Sequence, residues 1–188
     1  MLEVELKSVD DDPALRRARI ERAGAKLTFV GRLEDRRYDL PDRSLTERDN
    51  VLRVRTYRDD RTLLSRSQVD WKGPTRREGG YKLRDEIELK VEDDEALVSI
   101  LHNLGYCITT AIDRDIAQYD LEGTMIRFEH YPRMDDLVEV EGSPEQIETA
   151  IAALGLPREG FTTDRLSDFC ARFAAREQQP AVLRFTEL

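Results

Sequence analysis

The sequence predicts an α+β domain built on a large, mainly antiparallel β-sheet or barrel with a few helices. Two patterns predict this fold class. Segment after segment alternates apolar with charged residues at a period of two, which is the period of a β-strand. Between these segments lie a few stretches with helical spacing and clear start and stop signals. The chain has 188 residues, of which 39% are hydrophobic and 37% charged, so it is long enough to bury one substantial core.

The first half of the chain is predicted to contain one helix and five strands. The first strand covers residues 1–9. Asp11 or Asp12 caps the helix that follows, and Pro13 occupies its first turn. That helix ends near Gly24. Further strands are predicted at residues 27–40, 51–59, 63–72 and 81–91, with turns at residues 73–74 and 79–80.

The second half is predicted to contain three helices and three strands. Asp93 or Asp94 opens a helix with apolar residues at helical spacing, and Gly105 ends it. Ser143 and Gln146 form a capping-box pattern at the start of the next helix. The other predicted elements are strands at residues 107–120, 124–131 and 136–141 and helices at residues 143–155 and 163–177.

The chain is predicted to form one domain, because no long linker, repeat or low-complexity tract interrupts it. This domain covers residues 1–177, and residues 178–188 are expected to be a weakly ordered C-terminal tail. No apolar run reaches the roughly 18 residues of a membrane-spanning helix, and the acidic start lacks the pattern of a signal peptide. We therefore expect a cytoplasmic location and no membrane partner.

The charged faces of the strands distinguish an open sheet from a barrel. On the first strand Glu3, Glu5 and Lys7 share one face, opposite the apolar face. An open antiparallel sheet could expose such faces to water. A barrel with a polar interior explains better why carboxylates and guanidiniums alternate with apolar residues on strand after strand. The net charge of −9 argues against nucleic acid as a partner, but local basic residues could still bind a small anion.

The order of the charged segments along the chain resembles the CYTH superfamily, the triphosphate tunnel metalloenzymes, and within it the class IV adenylyl cyclases most closely. The first strand matches the Glu-x-Glu-x-Lys signature of that family, and the resemblance extends over roughly residues 1–176. The matching segments are Glu3-x-Glu5-x-Lys7, residues 35–41, Leu52-Arg53-Val54-Arg55, Trp71-Lys72-Gly73-Pro74, Arg84-x-Glu86-x-Glu88 and Val138-Glu139-Val140-Glu141.

The resemblance implies an eight-stranded, mainly antiparallel β-barrel, the triphosphate tunnel, with helices packed outside, and a site that binds a triphosphate and Mg²⁺ or Mn²⁺. Carboxylate oxygens suit such a metal, and guanidinium and ammonium groups suit phosphates. The expected metal ligands are Glu3, Glu5, Glu129, Glu139 and Glu141. The expected triphosphate ligands are Lys7, Arg53, Arg55, Lys72, Arg84 and Arg114. Glu86 and Glu88 are expected to support the tunnel, and Glu3, Glu5 and Lys7 to act in catalysis.

The sequence departs from the pattern of the family at several positions, among them Leu166-Ser167, where relatives often have Ser-Tyr. Glu129 stands where many relatives have aspartate, and Ile116 replaces a second basic residue that is common after the site of Arg114. Leu33 and Arg37 align with a frequent glutamine and tyrosine of the second strand. These differences leave the expected triphosphate site in place but leave the identity of the substrate open.

Four hypotheses about function follow. The leading one is a class IV adenylyl cyclase-like enzyme that converts ATP into cyclic AMP and pyrophosphate. The first alternative is a hydrolase of tripolyphosphate or thiamine triphosphate. The second is a polyphosphate- or nucleotide-binding module without catalysis, and the last is a sheet protein whose charges form structural salt bridges. A homodimer would be unsurprising for a member of the resembled family.

Overall fold

The computed structural model describes residues 2–185, which form a closed antiparallel barrel of eight strands with a short ninth strand and five α-helices outside it. The strands are β1 (Leu2–Val9), β2 (Lys26–Asp39), β3 (Val51–Asp59), β4 (Ser65–Lys72), β5 (Arg76–Glu78), β6 (Tyr81–Val91), β7 (Cys107–Leu121), β8 (Thr124–His130) and β9 (Leu137–Glu141). The helices are α1 (Pro13–Arg22), α2 (Ser44–Glu47), α3 (Asp94–Asn103), α4 (Pro144–Leu154) and α5 (Leu166–Glu177), with one 3₁₀ turn at Arg158–Gly160. The predicted fold class is confirmed.

The barrel closes because β1 pairs with a neighbour on each side. The strand order is β1-β9-β8-β7-β2-β3-β4-β6, and β6 pairs with β1 again. On one side Glu5 lies opposite Glu141 of β9, and on the other side it lies opposite Lys82 of β6. Side chains alternate between the two faces of a strand, so Glu3, Glu5 and Lys7 all point to the interior of the barrel.

The apolar outer faces of the strands are covered by helices, as the alternating pattern predicts. Helices α1 and α4 cover a core that includes Leu6, Val140 and Ile147, all buried. Helix α3 packs Leu101 against Tyr38 of β2, in a second cluster. The strands under these helices therefore have their apolar face toward the helices, whereas Ile87 and Leu89 on the outer face of β6 are exposed.

Two short elements were not expected from the sequence. Helix α2 has four residues, and it follows Arg43, which has the left-handed φ of 62°. Strand β5 has three exposed residues and pairs with β6 through Arg77 and Lys82, along the part of β6 that β4 does not reach. Both elements lie in connections at the same end of the barrel, α2 between β2 and β3 and β5 between β4 and β6. Neither has enough residues to show a periodic pattern.

The segment after α5 makes more contacts than a weakly ordered tail would. Val182 forms an isolated β-bridge with Arg133, and the carbonyl of Leu183 accepts a hydrogen bond of 2.6 Å from the amide of Asp113. The side chain of Leu183 packs against the cluster under α5. Residues 186–188 of the predicted tail lie outside the described residues. Within residues 2–185, no helix is long and apolar enough to cross a membrane.

Candidate functional site

The interior of the barrel is a charged cavity of about 430 Å³. Eleven lysines and arginines and eight aspartates and glutamates line it, inside a chain with a net charge of −9. Three further carboxylates, those of Asp35, Asp70 and Glu129, lie behind the lining within 4 Å of its arginines and balance the remaining charge. Inward-facing positions from β1, β3, β4, β6, β8 and β9 supply most of these groups. A cavity with this many ammonium and guanidinium groups can bind a small ligand with several negative charges.

The wall formed by β1 contains the two carboxylates and the lysine of the Glu-x-Glu-x-Lys segment, and each has a partner of opposite charge. Lys72 donates a hydrogen bond to Glu3, and Lys82 donates one to Glu5. Lys7 forms an ion pair with Glu139 of β9. Burial lowers the pKa of Lys7, but Glu129 and Glu139 outweigh it and hold that pKa above its usual range. Lys7 is therefore a permanent cation in this wall.

Glu141 differs from the other carboxylates of this wall because it has no hydrogen bond or ion pair with any residue from 2 to 185. It lies directly across from Glu5 in the pairing of β1 with β9. Burial, together with the charges of Glu3 and Glu139, raises the pKa of Glu141 to about 8. Glu141 is therefore mostly protonated at pH 7, and it would ionise if a cation bound beside it.

The wall formed by β3, β4 and β6 is a dense network of ion pairs. The Nε atoms of Arg53 and Arg55 lie 2.9 and 2.5 Å from Asp70. Arg55 also reaches Glu88 at 2.7 Å, and Lys72 reaches Glu86 at 3.2 Å. Carboxylate oxygens of Asp70, Glu86 and Glu88 come within 4.8 Å of one another, which is close enough to share a cation. In this structure, however, the guanidiniums already balance their charge.

Arg114 of β7 is held in place by a buried carboxylate. Its Nε donates a hydrogen bond of 2.8 Å to Glu129, whose other oxygen accepts one of 2.8 Å from the hydroxyl of Tyr131. Lys7 lies 3.7 Å from Glu129 as well. Because both oxygens of Glu129 are engaged and its side chain is fully buried, this geometry suits positioning Arg114 better than ligating a metal.

Asp35 of β2 lies at the centre of the basic side of the cavity. It is completely buried, 3.6 Å from Arg53 and 3.8 Å from Arg114. Burial raises the pKa of this carboxyl, but the guanidiniums of Arg53, Arg37 and Arg114 outweigh it and lower the pKa to about 2. Asp35 is therefore ionised, and it partly balances the positive charge of this side.

An apolar cluster fills one end of the barrel interior. Leu33, Tyr57 and Ile116 continue the inward-facing rows of β2, β3 and β7, and they pack with Phe29. The rings of Phe29 and Tyr57 meet edge to face with their centroids 5.4 Å apart. Leu33 and Ile116 both depart from the family pattern, and they have a common structural reason, since both side chains belong to this apolar cluster.

Arg84 donates its hydrogen bonds to backbone carbonyls. Its Nε reaches the carbonyl of Gly73 at 2.6 Å, and its Nη2 reaches the carbonyl of Asp49 at 2.5 Å. Asp49 also accepts a hydrogen bond of 3.0 Å from Arg165, just before α5. Arg84 therefore ties together the loops around the mouth of the cavity, besides lining it.

The structure places all the predicted site residues except Glu129 in the cavity lining, where they meet three charged side chains that the sequence analysis did not select as site residues. Lys82 pairs with Glu5, Arg127 donates a hydrogen bond of 3.0 Å to Glu139, and the third is Arg37. Asp70, the fourth charged residue that was not selected, lies behind the lining against Arg53 and Arg55. Each of the four lies two residues from a residue that was selected or belonged to a matched segment, so the period of two was the signal that could have found them.

The carboxylates on β1 and β9 fit a divalent metal ion. The Oε2 atom of Glu3 is buried without a hydrogen-bond partner, and Glu141 is unpaired within residues 2–185. Repulsion from Glu5 adds to burial in raising the pKa of Glu3. A group of carboxylates with oxygens that lack partners is the donor chemistry that Mg²⁺ and Mn²⁺ prefer.

Comparison with known proteins finds the same family as the sequence pattern. The family model of the CYTH domain matches residues 1–153. A protein of Methanocaldococcus jannaschii named "Putative adenylate cyclase" is 27% identical over 171 residues, which cover 86% of this chain and 94% of that protein.

Solved structures share the fold at low sequence identity. A protein of Vibrio parahaemolyticus, also named as a "putative adenylate cyclase", superposes with a TM-score of 0.76 at 16% identity, over 91% of this chain and 98% of its own. A Hippeastrum protein with a similar name, described as having a dominant triphosphatase activity, has a TM-score of 0.62 at 15% identity, over 98% and 99% of the two chains. A protein of Pyrococcus horikoshii has a TM-score of 0.72 at 22% identity, over 94% and 99%.

Proposed function

The chain belongs to the CYTH domain family, and from that premise we propose that it is a metal-dependent enzyme that binds a nucleoside triphosphate or another triphosphate inside its barrel. The observation that supports this proposal best is the number of basic side chains around one cavity. Eleven lysines and arginines line it inside an acidic protein. Burying so many charges costs folding free energy even when they are paired, and their ammonium and guanidinium groups are the donors that a polyanion needs.

The ion pairs of the β1 wall explain how such a ligand could bind. Lys72 and Lys82 now neutralise Glu3 and Glu5. A triphosphate that binds together with a divalent cation brings negative and positive charge at the same time. The phosphate oxygens can accept hydrogen bonds from the lysines while the cation binds the carboxylates, so every buried charge keeps a partner of opposite sign.

The residues that would hold the metal are Glu3, Glu5 and Glu141, with Glu139 beside them. When bound there, Mg²⁺ or Mn²⁺ would act as a Lewis acid that lowers the pKa of an attacking hydroxyl or water and stabilises charge on the phosphates. The phosphates themselves would be held by the basic groups of the facing walls. These are Lys7, Arg53, Arg55, Lys72 and Arg114, with Arg84 at the mouth.

The first candidate reaction is the cyclisation of ATP, which the name of the Methanocaldococcus jannaschii relative supports. In it the ribose 3′-oxygen attacks the α-phosphorus, the hydroxyl proton leaves, and the bond from the α-phosphorus to the bridging oxygen breaks. The products are cyclic AMP and pyrophosphate. Arg53, Arg55 and Arg114 would bind the leaving phosphates and stabilise the negative charge that develops on them.

The second candidate reaction is the hydrolysis of a triphosphate. The described activity of the Hippeastrum neighbour favours it, since that protein shares this barrel although its name refers to a cyclase. Here water attacks the terminal phosphorus and orthophosphate is released. The same cations would bind the same phosphate chain, so the two reactions differ in which nucleophile the cavity places in line with the breaking bond.

Product analysis distinguishes these candidates. The purified protein is incubated with ATP, GTP, thiamine triphosphate and tripolyphosphate, each with Mg²⁺, Mn²⁺ or EDTA. Cyclic nucleotide with pyrophosphate identifies the cyclase, and metal-dependent orthophosphate release identifies the hydrolase. Tight triphosphate binding without turnover would identify a binding module and contradict the proposal of an enzyme.

Replacement of Glu141 tests the metal ligands in the same assay. We expect Glu141→Gln to reduce the metal-dependent rate by about 100-fold or more, because it removes an anionic ligand. The matched control is Glu145→Gln, at an exposed position in the first turn of α4, which should keep the rate of the unmodified protein. An unchanged rate in Glu141→Gln would remove Glu141 from the ligand set.

A further inference from the structure

Arg37 lies in the cavity wall opposite the carboxylates of β1. In the closed order of eight strands, β2 is four strands away from β1 in either direction. Arg37 shares the inward face of β2 with Asp35, and it lines the cavity together with Arg53, its cross-strand neighbour on β3. A ligand whose metal end lies at Glu3 and Glu5 would extend its other end toward this wall.

The guanidinium of Arg37 has no hydrogen bond and no ion pair with the residues that the structure describes. Its Nε atom is buried without an acceptor, and so is the Nη1 atom of Arg114. The carboxylate of Asp35 is shared with Arg53 and Arg114 at 3.6 and 3.8 Å. The preceding residue of β2, Arg36, differs from Arg37, because the guanidinium of Arg36 forms an ion pair of 2.6 Å with Asp113.

The surroundings disfavour the charge of Arg37. Burial lowers the pKa of Arg37, Asp35 opposes this, and the neighbouring charges of Arg53 and Arg114 lower the pKa further. Asp35 attracts this guanidinium without forming a hydrogen bond or ion pair with it within residues 2–185, since Asp35 lies closer to Arg53 and Arg114. The donors of Arg37 that face the cavity therefore remain available to a ligand.

A phosphate would supply the missing partner. The planar donor fork of an arginine binds a phosphoryl group through two parallel hydrogen bonds, which a lysine or a tyrosine cannot do. Building on the function proposed above, we propose that Arg37 binds a phosphoryl group of the triphosphate and adds a phosphate ligand where the family pattern has a tyrosine. Arg37 and the free Nη1 of Arg114 then bind the phosphate chain from the wall that faces the metal ligands.

The test is calorimetric titration of tripolyphosphate into the protein in EDTA, so that the result depends on neither a metal nor turnover. We expect Arg37→Gln to raise the Kd by about 10- to 100-fold, as for the loss of charged hydrogen bonds. Arg37→Lys keeps the positive charge but loses the planar pair of donors, so its Kd should lie between the values for Arg37→Gln and the unmodified protein. The matched control Arg36→Gln removes the neighbouring arginine outside the cavity and should change the Kd less than about twofold.

Thermal unfolding of the same variants without ligand separates binding from structure. Arg37→Gln removes the repulsion from Arg53 and Arg114 together with the attraction to Asp35, so it should unfold within about 2 °C of the unmodified protein. An unchanged Kd, or a raised Kd accompanied by a clearly lower melting temperature, would overturn the inference while leaving the proposed function intact. If the unmodified protein binds tripolyphosphate neither in EDTA nor with Mg²⁺, the proposed function fails first.

Discussion

Asp35 is the carboxylate at which the guanidiniums of the basic side converge. Removing it would leave Arg53 and Arg114 with less compensation in a buried position. Breaking a buried ion pair by deleting one partner is usually far more costly than never having formed it. Asp35 therefore contributes to the stability of the fold more than to recognition of a ligand, which it would repel.

Asp35→Asn should therefore lower the free energy of unfolding by about 3–5 kcal/mol at pH 7. The folded-state pKa of about 2 lies below the value of 3.8 for an aspartate in the unfolded chain, so the stabilisation is complete above pH 4 and is lost as the pH falls toward 2. The difference in the free energy of unfolding between the unmodified protein and Asp35→Asn should decrease by about 1 kcal/mol from pH 7 to pH 3. Urea unfolding of both proteins at several pH values measures this difference. A difference that stays constant or increases on acidification would contradict the low pKa assigned to Asp35.

At the scale of residues, the sequence predicted which charges face the interior but not how they pair. Glu3, Glu5 and Lys7 could be placed on one face because alternation on a strand is a local property. The pairing of Glu3 with Lys72 joins positions far apart in the chain, and it depends on register and on the closure of the barrel. The absence of a partner for Arg37 is likewise a property of the assembled wall, which no local pattern contains.

At the scale of elements, β1 is the strand on which closure depends. It pairs with β6 through residues 2–5 and with β9 through residues 5–9, and its inward face contains three charged residues of the proposed site. Its outer face is fixed by Leu6, which is 1% exposed in the core under α1 and α4. The apolar side of β1 therefore holds its charged side in position.

We expect Leu6→Ala to lower the free energy of unfolding by about 2–5 kcal/mol, because it leaves a cavity in this core. The control on the same strand is Leu2→Ala, at a position that is 49% exposed, and it should change stability by less than about 0.5 kcal/mol. Chemical denaturation followed by circular dichroism gives both values. Similar effects for the two variants would mean that the outer face of β1 does not hold the strand in the barrel.

Long elements could be predicted from the sequence, and short ones could not. The capping box of Ser143 and Gln146 is present in the structure, at the start of α4. In contrast, α2 has four residues and no side-chain cap, and tertiary contacts with β2 and β3 hold it. Strand β5 forms because β6 extends past the end of β4, and the backbone groups on that edge of β6 pair with β5 instead. Such elements depend on their neighbours more than on their own residues.

At the scale of the whole molecule, charge is distributed unevenly between the interior and the outside. The protein has 39 acidic and 30 basic side chains, and eleven of the basic ones line the cavity. Carboxylates in and behind the lining balance these cations, so the outer surface bears the net negative charge, which should repel polyanions until they reach the mouth. A chain that needed a core for folding alone would gain little from gathering about a third of its basic groups around one cavity.

Ligand binding should consequently stabilise the whole barrel. Tripolyphosphate binds only the folded protein, so at about 100 times its Kd it should add about 2.7 kcal/mol to the free energy of unfolding. For a domain of this size that corresponds to a rise of about 5–10 °C in melting temperature. The measurement is thermal unfolding in EDTA with tripolyphosphate, with orthophosphate at matched ionic strength as the control. Orthophosphate can contact one wall only, so its shift should be much smaller. If tripolyphosphate produced no shift at any concentration, either in EDTA or with Mg²⁺, the interior charges would be structural salt bridges.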